Sequence, residues 1–171
     1  MNIYYHPLYT KGIDSKSTFP KERYDLIKEQ LVVSELSNII TIKTPTEVEI
    51  EDIYRAHAKE YVDAFLNSDL SEKQVREIGL KPWTNKIIQR TLLLTGGSLC
   101  ALDDIYNGAA VAANMAGGTH HAFRDRGSGF CIFNDLAICA IKAIEKYNYN
   151  RVLIIDLDVH QGDGTASILK D

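Results

Sequence analysis

The chain has 171 residues, 45% of them hydrophobic and 25% charged, with a formal net charge of -4. That composition fits one globular domain over residues 1–171 with a proper core, and the acidic balance without a basic stripe excludes a nucleic-acid binder held by phosphate contacts. No apolar run approaches the ~18 residues of a membrane span, and no secretory leader pattern opens the chain. The three cysteines, Cys100, Cys131 and Cys139, form no C-x-x-C pair, which points to buried thiols in a reducing, cytoplasmic setting.

In chain order, "MNIYY" (1–5) reads as a short strand. From Pro20 to Leu36 the apolar spacing predicts a helix with Tyr24, Ile27, Leu31 and Leu36 toward one face, and Pro20 suits its first turn. "IITIK" (39–43) is β-branched and reads as a strand ended by Pro45. One or two helices are expected over 49–68, and a short one opens at Ser71, where "SEKQ" is a capping-box pattern. Thr84 is the expected cap of a long helix through Tyr106. Its Gly96 and Gly97, unfavourable by about 1 kcal/mol each against Ala, imply a close approach by another element. "AAVAANM" (109–115) predicts a short buried strand leading into "GGTHHAF" (117–123). Asn134 is placed to cap a helix over 134–148, and "RVLIIDLD" (151–158) has the near-continuous apolar character of a central parallel strand buried on both faces. Strand, loop, helix and strand make a βαβ unit, so the predicted class is α/β with a parallel sheet.

Two stretches carry chemistry. Two of the five histidines stand side by side at His120 and His121, after a glycine pair. In "DLDVHQGDG" (156–164), a period of two puts Asp156, Asp158 and His160 on one side of an extended chain. A carboxylate and an imidazole two residues apart suit two of the three protein ligands of an open zinc site. Both stretches follow apolar runs, and ligands of parallel sheets sit beyond the carboxyl ends of the strands. Taken singly, an Asp at a strand end is most often a turn or cap residue, and His6 and His57 fall on no constellation. The joint pattern favours metal-assisted hydrolysis.

"GGTHHAFRDRGSGFCIFNDLAICA" (117–140) followed by "LIIDLDVHQGDGTA" (153–166) resembles the zinc-dependent histone deacetylase family, of the three-layer α/β/α arginase/deacetylase fold. Weaker similarity runs through 55–65 and 79–98. "GTHHAF" and "HQGDG", with Phe123 and Gln161, are most similar to class IV and bacterial deacetylase-like members. The resemblance implies that His120 and His121 are an acid–base pair beside the attacking water and the acyl carbonyl, oriented by Asp156 and Asp163 respectively. It implies that Asp158 and His160 ligate Zn2+, with Fe2+ as the alternative, and that Gly129 and Phe130 line an acyl-lysine tunnel. Backbone carbonyls around 156–160 match part of a structural K+ site, and Arg23 resembles the arginine of an internal channel. The implied substrate is an acyl-lysine protein or a small acylated amine, with neither nucleic acid nor membrane as partner.

The family's third metal ligand, an aspartate, and its oxyanion-stabilising tyrosine fall on later segments. The expectation is therefore of the N-terminal portion of a deacetylase-like domain, completed by the C-terminal half or by a second copy, and inactive alone. Two other classes stay open. One is a non-catalytic fragment or binding module. The other is an arginase-type binuclear ureohydrolase, which would place an acid where this chain has Gly162 and carries Asp163 instead.

Overall fold

The structure, a computed structural model, describes residues 1–170. They form two compact units, one of residues 1–48 and 81–117, the other of 49–80 and 118–170. The class is α/β, with a parallel sheet.

In the first unit, β1 (Asn2–Tyr4) lies between β2 (Thr41–Lys43) and β3 (Ala112–Asn114), both parallel to it. The registers are Ile3 opposite Ile42 and Ile3 opposite Ala113. A short α1 (Leu8–Lys11), α2 (Arg23–Val33) and the 21-residue α6 (Lys86–Tyr106) pack with this sheet, and Tyr9 is fully buried. Gly96 explains how α6 is seated. A Cβ there would stand 1.9 Å from the Thr46 carbonyl oxygen and 2.9 Å from the Val48 nitrogen, so only glycine admits the incoming 46–48 segment.

Three expectations change here. Of the face assigned to α2, Tyr24 is buried but Ile27 and Leu36 are exposed, because Lys28 and Glu29 interleave the apolar positions and leave no continuous stripe to bury. The N-cap of α6 is Asn85, and the Thr84 hydroxyl instead donates to the Gly12 carbonyl (3.1 Å). The strand expected over 109–115 shortens to three half-buried residues, with Val111 exposed.

The second unit is built on α3 (Ile50–Ala56), α4 (Lys59–Leu66), α5 (Glu72–Ile78), α7 (Asp135–Glu145) and α8 (Asp163–Leu169). The 49–68 stretch is two helices, parted at His57, whose backbone is extended. Ser71 forms the full capping box with Gln74, and the Asn134 side chain accepts from the Ala137 N–H. Phe133 centres the core, with Phe65, His57 and Tyr61 ring centroids at 5.1, 5.3 and 5.9 Å. Asp52 on α3 holds Lys142 on α7 (2.7 Å) and Arg55 (2.9 Å), and Arg55 also pairs with Glu145.

The largest correction falls on "RVLIIDLD". It is extended but belongs to no strand, and Leu153, Ile155 and Leu157 are 82%, 72% and 91% exposed. Apolar β-branched residues set a propensity for a strand, whereas the strand itself needs a neighbour to accept its ladder hydrogen bonds. Among the described residues no strand pairs with this run, so the βαβ unit is not closed.

Candidate active site

The second unit carries all eight residues singled out as catalytic, metal-ligating or tunnel-lining. His120 and His121 occupy a turn that begins at Gly118, and their ring centroids stand 4.2 Å apart. His120 is buried and His121 half-buried. Each imidazole meets its own carboxylate through Nδ1: His120 with Asp156 Oδ2 at 2.6 Å, and His121 with Asp163 Oδ1 at 2.8 Å. These hydrogen bonds hold both carboxyls below their usual range. An ionised carboxylate accepts only, so Nδ1 of each ring is the protonated nitrogen, and Nε2 is left for proton transfer.

Asp158 and His160 lie on the same side of the extended 156–160 run. Asp158 Oδ1 takes the His160 backbone N–H (2.7 Å) and faces His160 Nδ1 (2.9 Å). The backbone bond first, then the imidazole, lowers the Asp158 carboxyl. Asp158 Oδ1 is 4.0 Å from His120 Nε2, and the His121 and His160 ring centroids are 5.8 Å apart. All three histidines and all three aspartates therefore gather in one place, with Asp156, Asp158 and His160 on the wall of an open groove of about 740 Å³.

The donor set can be tested against zinc. Ligands bound tetrahedrally at about 2.0–2.1 Å stand roughly 3.3 Å apart, and the facing oxygen and nitrogen of Asp158 and His160 are 2.9 Å apart. Three carboxylates beside three imidazoles also make a field that favours a cation. In type and spacing the pair fits two positions of a divalent metal's shell. Among the described residues no group of three such side chains converges on one point.

Gly129 and Phe130 form a hairpin turn. Ser128 and Cys131 exchange both backbone hydrogen bonds (3.0 and 2.8 Å), and the two residues between have φ of +52° and +68°. This is the left-handed pair of a two-residue hairpin loop. Gly129 is required twice over, because a Cβ there would meet His121 Cδ2 at 2.6 Å. Phe130 in the left-handed region is strained by about 1–2 kcal/mol. Two carbonyls at the end of α5 hold it there, Glu77 O accepting from Gly129 N (3.3 Å) and Ile78 O from Phe130 N (2.7 Å). The result is an exposed Phe130 ring next to Gly79, in the turn whose Gly129 lies against His121. Burial pushes the neighbouring Cys131 thiol up to about 12, which favours the protonated thiol.

Arg23 lies in the first unit, its guanidinium 5.0 Å from both the Phe19 and Tyr24 ring centroids. Sequence reasoning missed His57, Asp135 and Thr165. His57 is buried, and its Nε2 accepts from the Asn134 backbone N–H (2.9 Å). Its signal was a lone histidine between the two helices of the 49–68 stretch, which specifies no partner.

Comparison with known proteins gives the family. The family model for the histone deacetylase domain matches residues 17–171. An uncharacterized protein of Picosynechococcus is 40% identical over 170 residues, covering 99% of this chain and 56% of the relative. The acetoin utilization protein AcuC of Bacillus subtilis is 36% identical over 156 residues (86% and 39%), and that of Staphylococcus aureus 33% over 171 residues (95% and 44%). The chain thus spans about half the length of the curated relatives it matches. With these similarities along nearly its whole length, the chain belongs to the histone deacetylase domain family.

Proposed function

We propose that this chain supplies the acid–base pair and two metal ligands of a zinc-dependent hydrolase that cleaves the amide of acyl-lysine or of a related acylated amine. The observation that carries this reading is the pair of adjacent histidines, each tied through Nδ1 to its own carboxylate and standing beside the Asp158–His160 pair. Asp158 and His160 hold the metal, Zn2+ in this reading and Fe2+ as the alternative. When bound, such a metal lowers the pKa of a water toward neutrality and polarises an amide carbonyl. His120 takes the water's proton as its oxygen attacks the acyl carbon. His121, entering this step as the imidazolium, gives its Nε2 proton to the lysine nitrogen as the C–N bond breaks, leaving a free amine and a carboxylate, and the proton taken by His120 returns through solvent to restore both rings. Asp156 and Asp163 keep each ring in the Nδ1–H tautomer, and Phe130 grips the methylenes of the lysine. A segment corresponding to the rest of the longer relatives provides the remaining ligand and the oxyanion donor.

The test joins this chain to the C-terminal remainder of the Picosynechococcus relative. With zinc supplied, the joined protein should release acetate from an acetyl-lysine peptide, and the 171-residue chain alone should be slow or inactive. In the joined protein His121→Ala should lower turnover by about a hundred- to ten-thousand-fold, as loss of a general acid does, with zinc still bound. Near-normal turnover by that variant overturns the assignment of His121. A joined protein that binds zinc and hydrolyses no acylated amine favours the non-catalytic binding module.

A further inference from the structure

We propose that Asn134 and Asp135, the two residues that open α7, are positioning residues for the His120–His121 pair. The role rests on the acid–base reading above, but the geometry behind it is independent of any substrate. Both side chains are buried, at 0% and 1% exposure, and neither belongs to the residues assigned to metal, water or acyl group.

Asp135 holds the entry to the histidine turn. Its Oδ1 accepts from the Thr119 backbone N–H (2.8 Å) and the Thr119 hydroxyl (2.6 Å), and its Oδ2 from the Gly118 N–H (3.2 Å). The Thr119 oxygen in turn accepts from the Asp135 backbone N–H (3.2 Å). Two backbone N–H donors, and a hydroxyl whose one proton is shared with the Phe133 carbonyl (2.5 Å), hold the two residues immediately before His120 against one buried carboxylate.

Asn134 holds the exit. Its Nδ2 donates to the Ala122 carbonyl (3.1 Å) and the Thr165 hydroxyl (3.0 Å), with the His120 carbonyl at 3.5 Å. The Thr165 backbone N–H donates to that His120 carbonyl (3.0 Å). Thr165 lies in the first turn of α8, two residues after Asp163. One amide side chain therefore joins the histidine turn to the helix that carries the orienting acid of His121. His57 Nε2 accepts from the Asn134 backbone N–H and so anchors the residue from behind.

The two side-chain types are not interchangeable. Position 135 faces two backbone N–H groups and the Thr119 hydroxyl, which a carboxylate satisfies. Position 134 faces two carbonyl oxygens, which an amide satisfies and a carboxylate repels. Either exchange keeps the volume and reverses the polarity. A turn released at one end no longer presents both imidazoles to their carboxylates at hydrogen-bonding distance.

The experiment uses the 171-residue chain labelled with nitrogen-15 at histidine, without metal or substrate. The Nδ1–H groups of His120 and His121 should give two low-field imidazole proton signals. Asn134→Asp and Asp135→Asn should each lose both signals while the circular dichroism spectrum stays folded. Asp52→Asn breaks the buried ion pairs to Lys142 and Arg55 in the same unit. It should lower the melting temperature and keep both signals, which separates positioning from general destabilisation. Where a variant at 135 fails to fold, Thr119→Val removes one donor to the same carboxylate and should also lose the signals. Wild-type signals in the folded variants overturn the proposal. Because nothing is turned over, the outcome stands whether or not the chain proves to be part of a deacylase.

Discussion

His57 shows how one buried side chain sets a property of the whole unit. Burial lowers its pKa to about 4 from the usual 6.5 of an imidazole. Protonation at Nε2 would also turn the acceptor of the Asn134 N–H into a donor facing a donor. The folded state therefore holds a neutral imidazole where the unfolded chain takes up a proton below about 6.5. Between pH 6.5 and 4 the unfolded state binds more protons, so stability rises with pH across this window and falls as pH drops through it. From pH 7 to 5 this one group should remove about 2 kcal/mol. Urea unfolding at the two values checks it. His57→Gln, whose amide oxygen can replace Nε2 as acceptor, should be less pH-dependent by that amount, and an unchanged difference would mean that other groups govern the acid limb.

At the scale of elements, caps and alternation were legible in the sequence, whereas partners were not. Ser71 with Gln74, Asn134 and the opening strand formed as read, because each signal is local and complete within four or five residues. The amphipathic face of α2 was misread because a spacing of apolar positions does not show whether another element covers them. Likewise the adjacent histidines and the alternating Asp156, Asp158 and His160 were visible, but the hydrogen bonds of Asn134 and Asp135 to the histidine turn span 12 to 17 residues, and that to Thr165 spans 31, and use ordinary cap residues. Gly96 is the element-scale case in which a sequence reading can be tested by sign. In an exposed helix interior, Gly→Ala gains about 1 kcal/mol. In α6 the added methyl would meet the backbone of 46–48, with Thr46 O at 1.9 Å and Val48 N at 2.9 Å, and backbone cannot rotate away as a side chain does. Gly96→Ala should therefore destabilise the chain by about 1–3 kcal/mol, as overpacking does, read as a lower urea midpoint. A raised midpoint would show that the 46–48 segment yields and that propensity decides.

For the whole molecule, the run ahead of Asp158 and His160 governs behaviour in solution. Leu153, Ile155, Leu157 and Val159 are 82%, 72%, 91% and 93% exposed, and they alternate along the chain with Asp156, Asp158 and His160. No described strand pairs with this segment, so it combines backbone groups outside any ladder with a run of exposed apolar side chains. Such an edge is a template for pairing with another chain, and a run this apolar is rare on the surface of a monomer. The net charge of -4 supplies only weak repulsion, screened beyond about 8 Å at physiological salt. The 171-residue chain should therefore self-associate as its concentration rises, seen as a weight-average mass in sedimentation that exceeds the monomer and grows with loading. Leu153→Lys combined with Leu157→Lys puts two like charges on the run, leaves the aspartates and His160 in place, and removes little buried surface. It should return the chain to monomer with its circular dichroism unchanged. Association that persists in this double variant would place the contact elsewhere, and the exposed positions of α2, Leu26, Val32 and Val33, would be the next to carry charge.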